Sequence, residues 1–321
     1  MDKKGFSLVE LLIVIAVGGI LIASLASVFV TQSRTYSIYS DIGETQYSAK
    51  AVLDYIAKEI RIAGSGLRDK NYFFKNGTTF AFLSSINSDT GTDAIRIRGN
   101  FQGIYGNISS VLGTSIEDDD SSKETFTVAY KNTNKSRFSA GNYITVSSPA
   151  GNAEIRRIAG VSGANKQNIS LLNGDGFNYN HREGTIFNCV QDIRYYVDSN
   201  GTLRRNNFEG NGNQPVLENV EDFQFMYGLD TNGDGYIDQW VNSVSDGSNK
   251  IDQVKVIKIW LIVRGTVPDN NFVDRRNYFL GISSTGGVYV AKRYTPPANV
   301  QHYRRLIFST TVDLRNNYIG S

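Results

Sequence analysis

Residues 11–30 read LLIVIAVGGILIASLASVFV, 20 positions without a charge. As a helix rising about 1.5 Å per residue, this run is about 30 Å long, the thickness of a bilayer's hydrocarbon core. Only Ser24 and Ser27 are polar, and each hydroxyl can bond back to the preceding helical turn. Lys3 and Lys4 precede the run. A basic flank stays on the cytoplasmic side, which orients the chain N-terminus in. A cleaved secretory signal would need a shorter apolar core followed by a small-x-small site. ASLAS at 23–27 is a loose match, but the run continues through Val28, Phe29 and Val30. A plain single-pass anchor explains the length. It does not explain Glu10, a carboxylate at the start of the run. An acidic side chain costs roughly 2.5–3.5 kcal/mol at the centre of a spanning helix and less near the interface. Glu10 therefore needs a partner or a function.

Beyond the run, Ala49, Val52, Leu53, Ile56, Ile60 and Ala63 recur at three- and four-residue steps, one apolar stripe on a helix. Asp54, Lys58, Glu59 and Arg61 are expected off that stripe, and AGSG at 63–66 supplies the stop. Residues 31–48, with Gly43 and several Ser and Tyr, are expected helical but less firmly packed. A helix from Phe6 to about Ala63 is on the order of 85 Å long. Its first half is apolar all round and its second half amphipathic, fit to be covered by a sheet.

The remainder is long enough for one large domain or two small ones. A net charge of +2 with 20% charged residues gives no basic field and indicates no nucleic-acid partner. Thirty-one Gly, 18 Tyr and 17 Phe against 5 Pro suit a β-rich, turn-rich head outside the cytoplasm. Strand patterns recur in AIRIRG (94–99), TFTVAYK (125–131), NYITVSS (142–148), AEIRRIAGV (153–161), EDFQFMYG (221–228), VYVAKRY (288–294) and YRRLIFSTTVDLR (303–315). DQVKVIKIWLIVRG (252–265) is dense enough in apolar residues for a central strand. DIRYYVDSNGTLRRN (192–206) reads as a hairpin about Asn-Gly. Residues 67–185 carry few strong strand signals for their length and are expected to form an elaborated β region. Within them SIEDDDSSKE (115–124) is a solvated acidic loop rather than a metal site. The lone Cys189 excludes an intrachain disulfide and fits a buried small hydrophobe better than an intermolecular bridge.

DTNGDGYIDQW places Asp230, Asn232, Asp234, Gly235, Tyr236 and Asp238 at positions 1, 3, 5, 6, 7 and 9 of an EF-hand-type loop. Alternate oxygen-bearing side chains converge there on one hard cation, the glycine allows the sharp turn, and Tyr236 gives its carbonyl. Calcium is the cofactor this spacing predicts. Val241 stands at position 12, where a bidentate Glu belongs, so a further ligand must come from elsewhere; Asp246 and Asp252 are the candidates. The competing reading is a glycine-rich hairpin turn with surface Asp residues. No catalytic pattern is present: His181 and His302 lack metal-ligand spacing, Cys189 has no nucleophile motif around it, and GNGNQ is no phosphate loop. The sequence does not read as an enzyme.

KKGFSLVELLIVIAV resembles the type III signal of type IV pilins and pseudopilins: a short basic leader ending in Gly5, then Phe6, then Glu10. The resemblance implies cleavage between Gly5 and Phe6 by a prepilin peptidase and N-methylation of Phe6. It also implies that Glu10 neutralises the Phe6 amino group of a neighbouring subunit. A carboxylate and an amine at membrane depth are each costly alone and tolerable as a pair. GETQYSAKAVLDYIAKEIRIAG, VQDIRYYVDSNGTLRR, VLENVEDFQFMYGLDTNGDGYIDQW, VKVIKIWLIVRG and YRRLIFSTTVDLRNN together resemble the PilW family of type IV pilus minor pilins, over residues 1–66 and about 188–318. That resemblance implies an α+β, type IV pilin-like fold, in which a long N-terminal helix packs on an antiparallel sheet head carrying a β-rich insertion. The segments would be a leader (1–5), the helix (6–66, membrane-spanning about 8–30), the elaborated region (67–187) and a C-terminal sheet with the calcium-type loop (188–321). The implied function is a minor pilin that helps initiate or cap pilus assembly. Its partners would be other minor and major pilins, the prepilin peptidase, the inner-membrane assembly machinery and, before assembly, the bacterial inner membrane. The alternatives are a J-type minor pseudopilin of type II secretion and a tip-displayed adhesin using the middle region. The chain departs from this pattern at Ser27, where many major pilins carry a proline, and at AGSGLRD, where the family often carries cysteines.

Overall fold

The computed structural model describes residues 7–67, 81–88, 91–103, 105–108, 125–129, 138–147, 153–163, 166–172, 176–177, 186–208, 212–244, 251–285 and 288–315. Gly5, Phe6, the acidic loop 115–124, His181 and Asp246 lie outside them. One helix, α1, runs unbroken through Leu8–Arg61, 54 residues and about 81 Å. It passes Gly18, Gly19 and Gly43 without interruption. The hydroxyls of Ser24, Thr31, Thr35 and Ser37 each bond the carbonyl four residues back at 2.8–3.0 Å, so these residues add no unsatisfied polar group to the helix surface. The helix stops at AGSG, where Gly64 (φ +81°) and Gly66 (φ +77°) take left-handed conformations.

Sixteen strands follow among the described residues: β1 Leu83–Ile86, β2 Ala94–Gly99, β3 Tyr105–Ile108, β4 Thr125–Ala129, β5 Tyr143–Ser147, β6 Ala153–Ser162, β7 Lys166–Leu171, β8 Ile186–Val197, β9 Leu203–Asn206, β10 Asn213–Leu217, β11 Val220–Leu229, β12 Gln239–Val241, β13 Val254–Pro268, β14 Tyr278–Thr285, β15 Val288–Tyr294 and β16 Tyr303–Asp313. A four-stranded antiparallel sheet, in the order β12-β11-β13-β16, carries the helix. One core joins Ala49, Leu53, Ile56 and Ile60 of α1 to Phe223, Phe225 and Tyr227 of β11 and to Ile257, Ile259, Leu261 and Val263 of β13. The alternate residues Trp260 and Ile262 face the other way, onto Tyr278 and Leu280 of the β14–β15 hairpin. Both faces of β13 are thus covered, which is why its sequence is apolar almost throughout.

The second sheet is built on β8, which serves two structures. Its C-terminal half pairs with β2 on one side and β9 on the other, giving the open run β1-β2-β8-β9-β10. Its N-terminal half pairs with β3 and β5 at once, with Asn188 opposite both Tyr105 and Thr145. The path β8-β3-β4-β7-β6-β5 therefore returns to β8 and closes a six-stranded antiparallel barrel. Its core is Ile144, Val146, Ile158, Ile169, Leu171, Phe187 and Cys189, joined by Phe138 and Phe177. Closure leaves these strands no free edge. Five of the barrel's strands, β3 to β7, fall within residues 67–187, and the sixth, β8, runs past them. A boundary at 187 falls inside β8, because one strand belongs to both the barrel and the open sheet.

Candidate functional site

The N-terminal end of α1 is capped by its own residues. The Ser7 hydroxyl accepts from the Val9 amide at 3.3 Å, and Glu10 Oε2 accepts from the Ser7 amide at 2.9 Å, closing a capping box. The Glu10 carboxylate sits at the positive end of the helix dipole, where negative charge is favoured. From there to Val30 the helix presents bare hydrocarbon: Leu8, Leu12, Ile20, Leu25 and Phe29 are each more than half exposed. By length and composition α1 is, among the described residues, the one helix able to cross a membrane. A face this large and apolar is built for lipid or for neighbouring helices.

Two polar attachments hold the other half of α1 to the head. Glu59, expected off the apolar stripe, is in fact buried (7% exposed). It sits at the stripe's edge, where the β8–β9 sheet replaces solvent. Tyr195 Oη donates to Glu59 Oε2 at 2.5 Å, Arg205 Nη2 to Oε1 at 2.8 Å, and Tyr55 Oη to Oε1 at 3.0 Å. Burial, then the Glu59 charge, push the Tyr195 hydroxyl well above its ordinary range, so it remains a donor.

The second attachment is Asp41. Its carboxylate accepts from the Thr266 amide at 3.0 Å, the Thr266 hydroxyl at 2.5 Å and the Val267 amide at 3.2 Å. The β13–β16 register shifts between Arg264 and Pro268, which turns these amides out of the ladder and toward the helix. Gly265 makes room: a Cβ there would lie 2.3 Å from Asp41 Oδ2. A cleft of about 430 Å³ lined by Asp41, Glu44, Ser48, Leu217 and Arg264 adjoins this contact, so it stands apart from the continuous core. Asp41→Ala is expected to destabilise by about 1.5–3 kcal/mol, the worth of charge-assisted hydrogen bonds. Hydrogen exchange should quicken at the Thr266 and Val267 amides, and Gly265→Ala should reproduce that local effect.

Buried charges pin the head internally. Asp192 (1% exposed) accepts from Arg96 Nε at 2.7 Å, Arg96 Nη2 at 2.5 Å and Arg98 Nε at 3.2 Å. Arg156 and Glu154 pair at 2.7 Å in the barrel. Asp222, on β11, accepts from Gln224 Nε2 at 2.5 Å and from the Phe223 amide at 2.8 Å. Burial pushes the Asp222 carboxyl up to about 6. The folded state therefore holds this proton to higher pH than the unfolded chain does. Its contribution to stability is greatest below about pH 4, falls as pH rises towards 6, and stays at its low level above. Asp222→Asn keeps an acceptor for both donors. At neutral pH it should stabilise by about 2–3 kcal/mol, from ~1.4 kcal/mol per pKa unit, with no gain near pH 4. Chemical denaturation at the two pH values reads this directly.

Asp230, Asn232, Asp234, Tyr236 and Asp238 lie on the loop between β11 and β12, closed by the pair Leu229–Gln239. The loop is knitted by its own amides. Asp230 accepts from Gly233 (2.7 Å) and Gly235 (3.0 Å), Asp238 from Thr231 (2.8 Å), and Asp234 from Tyr236 (2.8 Å). Asn232 Nδ2 bridges to Asp234 at 3.1 Å and Asp238 at 3.4 Å. The Thr231 amide and hydroxyl hold the Asp238 carboxyl below the usual range. Asp230 is buried and Tyr236 exposed. Val241, on β12, pairs with Tyr227 of β11, and Asp252 is exposed in the short turn Ile251–Gln253. Among the described residues no three His, Cys, Asp or Glu side chains form a metal-holding group. His302 bonds the Phe272 carbonyl at 2.8 Å, and Cys189 is buried in the barrel core.

A long, bare N-terminal helix seated by its second half on an antiparallel sheet defines an α+β, pilin-like protein. Residues 1–26 match the family model described as Prokaryotic N-terminal methylation motif, and residues 194–316 match Type IV Pilus-assembly protein W. Over these two segments the chain is similar to a PilW-type type IV pilin with a prepilin-type signal. Among solved structures it is similar to the type IV-like pilin TTHA1219 from Thermus thermophilus, at 15% identity and a TM-score of 0.40, over 85% of this chain and 96% of that one. No curated protein matches. The family is one of structural subunits that associate with other pilus components, not of enzymes.

Proposed function

We propose that this chain is a minor pilin that helps initiate or cap a type IV pilus. In this reading a prepilin peptidase cuts between Gly5 and Phe6, Phe6 is N-methylated, and the apolar half of α1 holds the subunit in the inner membrane. The inner-membrane machinery then moves it into a filament with other minor and major pilins. The observation that carries the reading is the division of α1: 0% of its most apolar stretch is buried within the chain, whereas its second half is locked to the head. Glu10 pairs with the Phe6 amine of a neighbour, exchanging its capping contact for a charged partner. Glu10→Gln should leave processing and membrane insertion intact and remove the protein from sheared filaments. Incorporation at the wild-type level would overturn the pairing.

The closed barrel favours a second reading, a tip-displayed adhesin, since it is a separate module with its own core. Deleting 67–185 distinguishes them: pili that persist but no longer bind surfaces support adhesion, and loss of pili supports assembly. A pseudopilus subunit of type II secretion would instead show a secretion defect.

Calcium belongs to the same proposal, held by Asp230, Asn232, Asp234, Asp238 and the Tyr236 carbonyl. The register of the side-chain oxygens supports it. A carboxylate offers about four lone-pair sites, so the single amide on each Asp230 oxygen leaves capacity for a cation. Calcium at a hundredfold excess over Kd should stabilise by about 2.7 kcal/mol, and Asp234→Ala should abolish the shift. An unchanged melting temperature with calcium or chelator would leave an ordinary hairpin loop.

A further inference from the structure

We propose that Lys292 and Asp93 become joined by an intramolecular amide bond, through condensation of the Lys292 ε-amine with the Asp93 carboxyl. The two residues are 199 positions apart, yet Lys292 Nζ lies 3.4 Å from Asp93 Oδ1. Lys292 is on β15; Asp93 immediately precedes β2. The Nζ also donates to the Ser88 carbonyl, which fixes its position. The carboxyl is held as firmly. Oδ1 accepts from the Ser88 amide at 2.9 Å, Oδ2 from the Phe225 amide at 3.1 Å, and the Asp93 amide donates to the Phe223 carbonyl at 2.7 Å. Two amides on one carboxyl draw electrons from its carbon, as donors do where charge develops on oxygen during acyl transfer. The contact sets the ε-amine against the carboxyl group whose carbon it would attack, the proximity such a condensation needs.

The surroundings favour the reactive form of the carboxyl. Asp93 is 3% exposed and the Lys292 side chain 15%. Burial raises the Asp93 carboxyl and, more strongly, that of Asp222, and both feel the Lys292 charge. A dry site disfavours the Asp93 carboxylate and so favours its carboxylic acid form. The step balances without oxidant or cofactor. The ammonium returns a proton to Asp93, and the nitrogen lone pair then attacks Cγ. The Cγ–OH bond breaks, and the hydroxyl leaves as water with one amine proton. Asp222 is the carboxyl whose field reaches both partners, and it is assigned the role of positioning that proton. The product would tie the β14–β15 hairpin to β2 around the intervening sheet, a covalent clasp in a chain with one cysteine.

The test is intact-mass measurement of the full chain purified in detergent, followed by tryptic peptide mapping. The expected wild-type mass is lower by one water, with a branched peptide linking the Asp93 and Lys292 segments. Lys292→Arg should restore the full mass while keeping the fold by circular dichroism. Asp93→Asn should still link but lose ammonia in place of water, and Asp222→Asn should slow linkage. Folded wild-type protein that keeps its full mass and gives separate peptides, after incubation in mildly acidic and mildly alkaline buffer, would reduce the contact to an ordinary ion pair.

Discussion

Glu59→Ala should destabilise the head by about 3–5 kcal/mol, the cost of breaking a buried pair from one side. Three side chains converge on this carboxylate, from α1 itself (Tyr55), β8 (Tyr195) and β9 (Arg205). Its removal strands the Arg205 guanidinium, whose side chain is only 15% exposed, and leaves the buried Tyr195 hydroxyl without its acceptor. Glu59→Gln should cost less, because an amide oxygen still accepts. The double variant Glu59→Gln with Arg205→Met should recover much of the loss, since no charge is then left buried. Urea denaturation of the three variants measures this. Equal losses in Gln and Ala would show that the charge does not matter.

Asp192→Ala should cost a comparable 3–5 kcal/mol, but in a different place. Asp192 stands where β8 leaves the barrel and joins the open sheet, opposite Arg98 on β2. It holds Arg96 and Arg98 together; Arg98 is itself buried and donates from Nη1 to the Ala81 carbonyl. Without the carboxylate two guanidiniums face each other across a low-dielectric gap. The β2–β8 amides should then exchange faster than those of β13, which lies in the other sheet. Uniform loss of protection would mean the two sheets unfold as one unit.

Much of this was legible in the sequence because the patterns are local. The 54-residue helix announces itself by an uncharged run and then a three-four stripe, and its stop by two glycines. VKVIKIWLIVRG reads as a central strand because both faces are covered. The barrel's closure was not legible. It depends on β8 pairing with β3 and β5 together, a non-local fact. Short strands such as β1, β10 and β12, at three to five residues, carry too few positions for a period to emerge. The Asn-Gly signal marked a real hairpin, but Asp198 widens the connection by accepting from the Asn200 and Thr202 amides, both at 2.9 Å. Asp41 and Glu59 were missed for one reason. A carboxylate on a helix looks solvated until the partner strand is known. For Asp41 the one local hint was Gly265, a residue without a side chain near the end of a dense strand.

The most direct test of the account is mass spectrometry of the N-terminal peptide of the protein taken from its native membrane. A chain that starts at methylated Phe6 is the predicted result, and it would make Glu10 a residue of assembly. A chain that still starts at Met1, in cells with an active prepilin peptidase, would contradict it and leave a single-pass membrane protein whose Glu10 merely caps a helix.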